Sequence, residues 1–352
     1  MEKWLLYGAY GFTGELIARE AAKRGLSPIL AGRNAQKLEP LADELGLEMR
    51  TFPLDAHAPD QLADISLVLH CAGPFSKTSQ PMMEACLSAG AHYLDITGEI
   101  DVFEQTHALT EEAKQKGIIL CSGVGFDVIP TDCTALKLKE LMPEAVSLAL
   151  GFDSNSGISR GTYKTMIEGL GSGSTVRNNG ELTPVPLGSQ RRTIDYGRGP
   201  RSSMGIPWGD VSTAYYTTGI QNISAWTPVP RPAAAGARFL SGLRPVLSSA
   251  AVQKTLKRWV DERVSGPDEE LRSNSPAFIW GEAQNAEGLR KVARLQTANV
   301  YDLTVYGALE CVSRLLAGKF TGGSYTPSML FGSSLVEELP GSGTFEIDTF
   351  YP

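Results

Sequence analysis

Several residue types that mark common functional classes are scarce in this chain of 352 residues. The five cysteines are odd in number and form no C-x-x-C pair, which argues against a disulfide framework and indicates a reducing compartment. The four histidines have no metal-ligand spacing, so we predict no metal site. Acidic residues outnumber basic ones, 39 to 32, and this balance disfavours nucleic-acid binding.

Long hydrophobic runs are also lacking. The apolar stretch that begins at Trp4 is far too short for a signal peptide or a membrane span, so we expect a cytoplasmic protein. A chain of this length usually forms two domains.

Short apolar strands alternate with helical segments through the first third of the chain. We predict strands at residues 4–7, 28–31, 48–52, 66–71, 92–95 and 118–121. We predict helices at residues 13–23, 35–45, 78–89 and 102–116. Strands that are separated by helices form right-handed crossovers and a parallel sheet with helices on both faces. The fold class is therefore α/β, with an N-terminal doubly wound Rossmann sheet.

The composition changes near residue 145, where glycine, serine, threonine and proline increase. We predict strands at 146–152 and 215–226, loops with short strands over 171–205, one or two helices over 233–262, and a helix at 302–316. This pattern indicates a second, α+β domain. We assign residues 1–130 to the first domain and 131–299 to a substrate and dimerisation domain, and leave open whether helices around 300–345 return to the first.

The pattern G-x-x-G-x-x-G lies directly between the first strand and the first helix. In that context glycine lets the backbone approach a pyrophosphate, and the helix N-terminus offers free N–H groups. Thr13 either binds a phosphate or caps the helix. The predicted cofactor-binding residues of this turn are Gly8, Tyr10, Gly11, Phe12, Thr13 and Gly14.

The end of the second strand indicates which dinucleotide binds. NAD sites place Asp or Glu there, but residues 31–34 contain neither. The Arg33 guanidinium suits the 2′-phosphate of NADP, with Asn34 next to it and Lys37 one turn further on. The alternative is that Arg33 is a solvated loop charge. Asp55, after the third strand, either meets the adenine amino group or caps the following turn.

Two further strand ends face the same crevice. The loop after the sixth strand carries Asp127, a candidate proton donor whose alternative role is to cap a helix or order its loop. Small residues after the fourth strand leave room for the ribose and nicotinamide. These are Ala72, Gly73, Pro74 and Phe75.

The start of the second domain offers a second candidate acid. Tyr163 next to Lys164 could donate a proton, although packing or substrate contact is the alternative for Tyr163. Arg160 could bind an anionic substrate tail or make a surface salt bridge. The basic amphipathic segment 231–263 either packs on its own domain or touches a membrane or lipid-like substrate.

These motifs together resemble the saccharopine dehydrogenase-like oxidoreductases, in the branch that includes the trans-acting enoyl reductase. The segments that carry the resemblance are residues 8–14, 31–33, 72–75, 93–99, 125–132, 159–162, 218–223 and 325–328. The resemblance implies an NADP-type Rossmann domain, a mixed-sheet second domain and a homodimer, and it fixes no substrate.

We therefore expect an NADPH-dependent reductase that acts on a C=C, C=N or C=O bond of a small organic, lipophilic molecule. The alternative is a non-catalytic NADP-binding sensor or scaffold, because no convincing acid–base pair is evident in the sequence.

Overall fold

The structure is a computed structural model that describes residues 2–155, 167, 173–230 and 275–352, with scattered positions between 232 and 259. The chain divides into two compact units, each built from two segments. Unit 1 comprises Met1–Ile129 and Tyr301–Leu330. Unit 2 comprises Pro130–Val300 and Phe331–Pro352.

The described elements follow one another along the chain. The strands are β1 (Trp4–Tyr7), β2 (Ile29–Gly32), β3 (Met49–Thr51), β4 (Leu67–His70), β5 (His92–Asp95), β6 (Ile119–Cys121), β7 (Ser147–Ser154), β8 (Ser174–Asn178), β9 (Glu181–Val185), β10 (Arg191–Asp195), β11 (Pro200–Ile206), β12 (Asn222–Pro228), β13 (Ala277–Gln284), β14 (Arg290–Thr297), β15 (Gly323–Ser324) and β16 (Glu346–Phe350). The helices are α1 (Phe12–Lys23), α2 (Ala35–Leu45), α3 (Phe75–Ala89), α4 (Ile100–Ala108), α5 (Thr110–Lys116), α6 (Ile129–Leu141), α7 (Asp210–Thr218), α8 (Val300–Ala317), α9 (Pro327–Phe331) and α10 (Leu335–Glu338), with a short 3-10 helix at Pro59–Leu62.

Unit 1 is built on a parallel sheet whose strand order is β15-β6-β5-β4-β1-β2-β3. Every described pair in this sheet is parallel, as in the pairing of Tyr7 with Ala31 and with His70. The order reverses direction at β1, so β1 and β4 form the switch point where open α/β sheets bind ligands. The predicted doubly wound sheet is confirmed.

The central strands of the unit 1 sheet are buried on both faces, which explains the apolar runs of β1, β2, β4 and β6. On one face, strand residues pack with side chains of α3 and α5. Members of this cluster include Leu5, Tyr7, Val68, Met82, Cys86, Tyr93, Ala113 and Leu120. On the other face, α1 packs on β1 and α2 packs on β2, and the fully buried Ile17 and Leu38 belong to these helices.

Unit 2 contains a mixed sheet of nine strands among the described residues. The main path is β10-β11-β12-β7-β13-β14-β16, and β8 pairs with both β12 and β9. Only β12 and β7 pair in parallel in this part of the chain; the other recorded pairs are antiparallel. The predicted second α+β mixed-sheet domain is confirmed.

One face of the unit 2 sheet carries a cluster that combines strand residues with α6 and α7. Its members include Ala135, Leu138, Leu148, Leu150, Ala214, Ile223 and Ala283. The approach is close at Gly281, where a Cβ would lie 2.6 Å from the Thr134 methyl group. Glycine is required there by the packing of the helix on β13.

Several predicted boundaries are wrong. Residues 215–218 belong to α7, because a helix rather than a strand begins at Asp210, and the strand begins at Asn222. The predicted helix 102–116 is two helices, which meet at Leu109 with φ −88° and ψ 7°. The short strands predicted within 171–205 are present as β8 to β11, which are joined by loops.

Other predictions about the second half have mixed outcomes. The helix predicted at 302–316 is confirmed by α8. The helices predicted over 233–262 lie almost entirely outside the described residues. The region around 300–345 contains the helices α8, α9 and α10, and strand β16 follows them. No helix in the described part of the chain is long and apolar enough to cross a membrane.

Candidate dinucleotide site

The turn between β1 and α1 is closed by contacts that exclude side chains. Gly8 has φ +87°, and a Cβ there would lie 2.7 Å from the backbone nitrogen of Ala72. A Cβ on Gly14 would lie 2.2 Å from the Gly8 carbonyl oxygen. Glycine at these two positions therefore brings the turn against α1 and against the loop that follows β4.

The first turn of α1 has no side-chain cap, since its N-cap residue is Gly11. The uncapped N–H groups and the helix dipole favour an anion at this end. Thr13 is half-buried, and its hydroxyl makes no hydrogen bond with the described residues. The capping role considered for Thr13 is therefore wrong, and a phosphate contact is the role that stays predicted. The exposed Phe12 ring packs edge-on against Tyr301, 5.2 Å between centroids.

The end of β2 combines an aromatic ring with two cations. The Tyr10 ring lies over Gly32, where a Cβ would be 2.5 Å from Tyr10 Cε1. The Lys37 ammonium lies 6.0 Å from the centroid of the same ring. Arg33 is exposed and makes no ion pair with the described residues. Two cations and no carboxylate at this strand end form an arrangement that suits a phosphate monoester.

Asn34 and Asp55 both have structural roles as caps. The Asn34 side-chain oxygen accepts a hydrogen bond from the Lys37 backbone N–H at 3.1 Å and caps α2. The Asp55 carboxylate accepts from the His57 backbone N–H at 2.9 Å. The capping alternative for Asp55 is therefore observed. The cofactor contacts of both residues stay predictions. The Asn34 side-chain NH₂ group and the second Asp55 carboxylate oxygen would have to make them.

The loop at residues 72–75 is held by two side chains. The Thr78 hydroxyl donates to the Ala72 carbonyl at 2.7 Å. The Glu99 carboxylate accepts from the first two N–H groups of α3, those of Phe75 at 3.1 Å and Ser76 at 2.8 Å. Glu99 lies after β5 and is the N-cap residue of α4, but its side chain caps α3, which follows β4. Sequence reasoning missed this role because no local spacing signal links residues 23 positions apart.

Asp95, at the end of β5, ties together the loops beyond β5 and β6. Its carboxylate is fully buried and accepts hydrogen bonds from the Thr97 and Gly123 backbone N–H groups at 3.0 and 2.8 Å. The other oxygen contacts the Tyr93 and Ser122 hydroxyls at 2.7 and 2.9 Å. Burial raises the pKa of Asp95, and these hydrogen bonds partly offset the rise. Asp95 is therefore structural.

We expect Asp95→Ala to destabilise the protein by about 3–5 kcal/mol, because the Thr97 backbone N–H and the buried Tyr93 and Ser122 hydroxyls lose the carboxylate as acceptor. The Gly123 N–H keeps its second acceptor, the Asp95 backbone carbonyl, at 3.0 Å. In Asp95→Asn the amide oxygen still accepts from both backbone N–H groups, and its NH₂ can donate to the two hydroxyls. That variant should lose only about 1 kcal/mol. Urea unfolding of the wild type and both variants measures these losses, provided that the dependence of the unfolding free energy on urea stays constant. Equal losses of stability in the two variants would contradict a structural role for the Asp95 carboxylate.

Asp127 is half-buried in the loop after β6, against the loop after β5. A Cβ on Gly98 would lie 2.8 Å from Asp127 Oδ2. The loop is fixed by the Phe126 backbone N–H, which donates to the Thr304 hydroxyl at 3.0 Å. Burial raises the pKa of Asp127 to about 7. A carboxyl group that titrates near neutral pH is suited to donate or accept a proton.

The other residues considered for catalysis or substrate binding lie mostly outside the described part of the chain. Tyr163, Lys164 and Arg160 belong to the part of the chain that is not described, as does most of segment 231–263. Their predicted roles stay predictions. No three His, Cys, Asp or Glu side chains cluster as a metal site in the described ranges. His70 is fully buried beside this site, and burial lowers its pKa to about 3, so it is neutral.

The sheet order and the glycine turn define unit 1 as a Rossmann domain of the kind that binds nicotinamide dinucleotides. Residues 4–121 match the family described as the saccharopine dehydrogenase NADP binding domain. The resemblance inferred from the sequence motifs is thereby confirmed.

Relatives of this chain carry names from the same group. The saccharopine dehydrogenase-like oxidoreductase of Homo sapiens is 29% identical over 214 residues, or 52% of this chain and 50% of that protein. A protein named as a trans-acting enoyl reductase from Mycobacterium tuberculosis is 31% identical over 193 residues, or 48% of this chain and 44% of that protein. The chain thus spans about half the length of the curated relatives it matches.

A solved structure shares the fold of the whole chain. Saccharopine dehydrogenase (L-Glu forming) from Saccharomyces cerevisiae matches with a TM-score of 0.69 and 12% identity, over 99% of this chain and 100% of that one. At this identity the match shows the fold and nothing about the substrate.

Proposed function

We propose that this protein is an NADPH-dependent reductase. The choice of NADPH over NADH rests on two exposed cations at the end of β2. Arg33 directly follows the last residue of the strand, and the Lys37 ammonium lies 6.0 Å from the centroid of the Tyr10 ring. The 2′-phosphate of NADPH carries close to two negative charges and accepts bidentate hydrogen bonds from a guanidinium. A Rossmann site for NADH would instead have a carboxylate at this strand end.

The residues of unit 1 fit the rest of the dinucleotide. The uncapped N–H groups that follow Gly11 and the Thr13 hydroxyl would hold the pyrophosphate. The loop at residues 72–75, held by Thr78 and Glu99, would position the ribose next to the nicotinamide. When bound, the cofactor supplies a hydride; the protein supplies position and a proton.

We assign the role of proton donor to Asp127. It lies on the loop after β6, beyond the carboxyl end of the sheet, where open α/β sheets bind ligands. With a pKa of about 7 its carboxyl group is substantially protonated at neutral pH and can give a proton to a reduced acceptor. Its packing against Gly98 fixes the backbone that carries it.

The acceptor that we propose is a C=C, C=N or C=O bond in a small, lipophilic molecule. Relatives named oxidoreductase and enoyl reductase support a reducible bond of this kind. None of the five cysteines forms a disulfide. The setting that we propose is reducing and cytoplasmic.

A screen of enoyl, imine and carbonyl acceptors tests the proposal, with NADPH oxidation followed by absorbance. We expect at least one class to be reduced and NADH to be a much poorer donor. If NADPH binds but no class is reduced, the result supports the alternative, a non-catalytic NADP-binding sensor or scaffold.

A further inference from the structure

His70 is the last residue of β4, at the switch point of the unit 1 sheet. It pairs with Tyr7, the last residue of β1, directly before the glycine turn. Its ring is fully buried beside the rings of Tyr7 and Tyr93, whose centroids lie 5.6 and 6.2 Å away. It also meets the Phe75 ring edge-on at 5.4 Å. A polar ring is therefore held among aromatic side chains and against the loop at residues 72–75.

The His70 ring reaches the same loop a second time, through the hydroxyl group of Thr78. The distance from His70 Nε2 to Thr78 Oγ1 is 3.0 Å. A threonine hydroxyl has a single hydrogen. This hydrogen is directed at two carbonyl oxygens of the loop, those of Ala72 at 2.7 Å and Pro74 at 3.1 Å. Because no hydrogen of Thr78 is left for the ring, the His70 Nε2–H is the donor and the Thr78 oxygen is the acceptor.

This direction of the hydrogen bond also determines the state of the other ring nitrogen. Burial lowers the pKa of His70 to about 3, so the ring carries one N–H hydrogen at neutral pH. With that hydrogen on Nε2, Nδ1 is an acceptor, and it makes no hydrogen bond with the described residues. A buried acceptor of this kind costs free energy that an apolar side chain would not cost. What histidine offers at this position is therefore the hydrogen bond to Thr78.

We propose that His70 is a positioning residue for the nicotinamide end of the cofactor. It fixes the loop at residues 72–75 through the Thr78 hydroxyl and through its own ring contact. This inference rests on the proposed function, in which that loop positions the ribose next to the nicotinamide. The 2′-phosphate would bind at Arg33 and Lys37, at the end of a different strand, so the two ends of the cofactor can be tested separately.

His70→Leu is expected to weaken NADPH binding about tenfold, because the loop loses the hydrogen bond and the ring contact that hold it. Adenosine 2′,5′-bisphosphate lacks the nicotinamide half, so its affinity should change by no more than about twofold. The matched variant His70→Gln can place an N–H near the position of Nε2 and should keep most of the NADPH affinity. Isothermal titration calorimetry measures each affinity. Equal losses for the two ligands in His70→Leu would overturn the proposal.

A double-mutant cycle tests whether His70 acts through Thr78. Thr78→Val keeps the shape of the side chain but removes the hydroxyl, whereas Thr78→Ser keeps the hydroxyl and should keep most of the NADPH affinity. If the two residues act along one chain of hydrogen bonds, the double variant His70→Leu/Thr78→Val should bind NADPH about as well as the weaker of the two single variants. Losses that add in full would show that the two side chains act independently, which would overturn this route.

Nitrogen-15 NMR of the imidazole rings tests the tautomer without any nucleotide, and the signals of His70 are assigned by their loss in His70→Gln. We expect a protonated Nε2 and an unprotonated Nδ1 that do not titrate between about pH 5 and 8. A ring protonated on Nδ1 would overturn the inference, whatever the protein reduces. Failure of the wild type to bind NADPH would overturn the proposed function and this inference with it. Wild-type NADPH affinity in His70→Leu would overturn the positioning role alone.

Discussion

Replacement of both Arg33 and Lys37 by alanine is expected to weaken NADPH binding by about 10²-fold, or about 2.7 kcal/mol. The loss arises because the 2′-phosphate would lose its charge-assisted hydrogen bonds, while water replaces them only partly. NADH lacks that phosphate, so its affinity should change by no more than about twofold. Isothermal titration calorimetry of both nucleotides against wild type and variant measures the effect.

A charge-matched variant separates a local contact from general electrostatics. Lys23 and Lys114 are exposed cations on α1 and α5, and their double alanine variant changes the net charge by the same amount. Its NADPH affinity should stay close to that of the wild type, because exposed charges beyond a Debye length are screened at physiological salt. Equal losses in the two double variants, or equal losses of NADPH and NADH, would contradict recognition by Arg33 and Lys37.

The largest effect on the reaction is expected for Asp127→Asn, which should lower the turnover rate by about 10²–10⁴-fold on whichever acceptor the screen identifies. Asparagine keeps the shape of the side chain but cannot give up a proton. NADPH affinity should change little, so the effect should appear in kcat. The control Asp60→Asn changes an exposed carboxylate, 79% accessible, and should leave kcat unchanged.

The turnover rate is expected to fall as the pH rises through neutrality. The Asp127 carboxyl is the donor only while protonated, so the wild-type rate should be highest below its pKa of about 7 and should fall as the pH rises through it. The asparagine variant should lack this limb. A wild-type rate that rises through neutral pH, or a variant that keeps the same profile, would show that another group supplies the proton.

The first unit was largely predictable because its signals are local. The buried parallel strands are visible in the sequence as short apolar runs. The helix predicted at 35–45 has leucines at three- and four-residue spacing, and its bounds match those of α2. The glycine turn and Arg33 were found because strand, turn and helix are consecutive. Sequence patterns do not predict the capping role of Glu99 or the packing of Tyr10 on Gly32, because the residues in contact are far apart in the chain.

The second unit was harder for a physical reason. Its strands alternate polar and apolar residues weakly, and β16 is exposed on both faces, so burial leaves no periodic pattern in its sequence. The helix that begins at Asp210 was missed because its threonines and tyrosines favour strands, and tertiary packing of Val211 and Ala214 overrides that preference.

Phosphorus NMR of NADP⁺ bound to the wild-type protein tests the recognition of the 2′-phosphate most directly. This phosphate titrates in water with a pKa of about 6, so its resonance shifts across neutral pH. Contact with the Arg33 guanidinium should lower that pKa by about one unit or more, and Arg33→Ala should restore it. A bound 2′-phosphate that titrates as it does free in solution, in both proteins, would contradict the account.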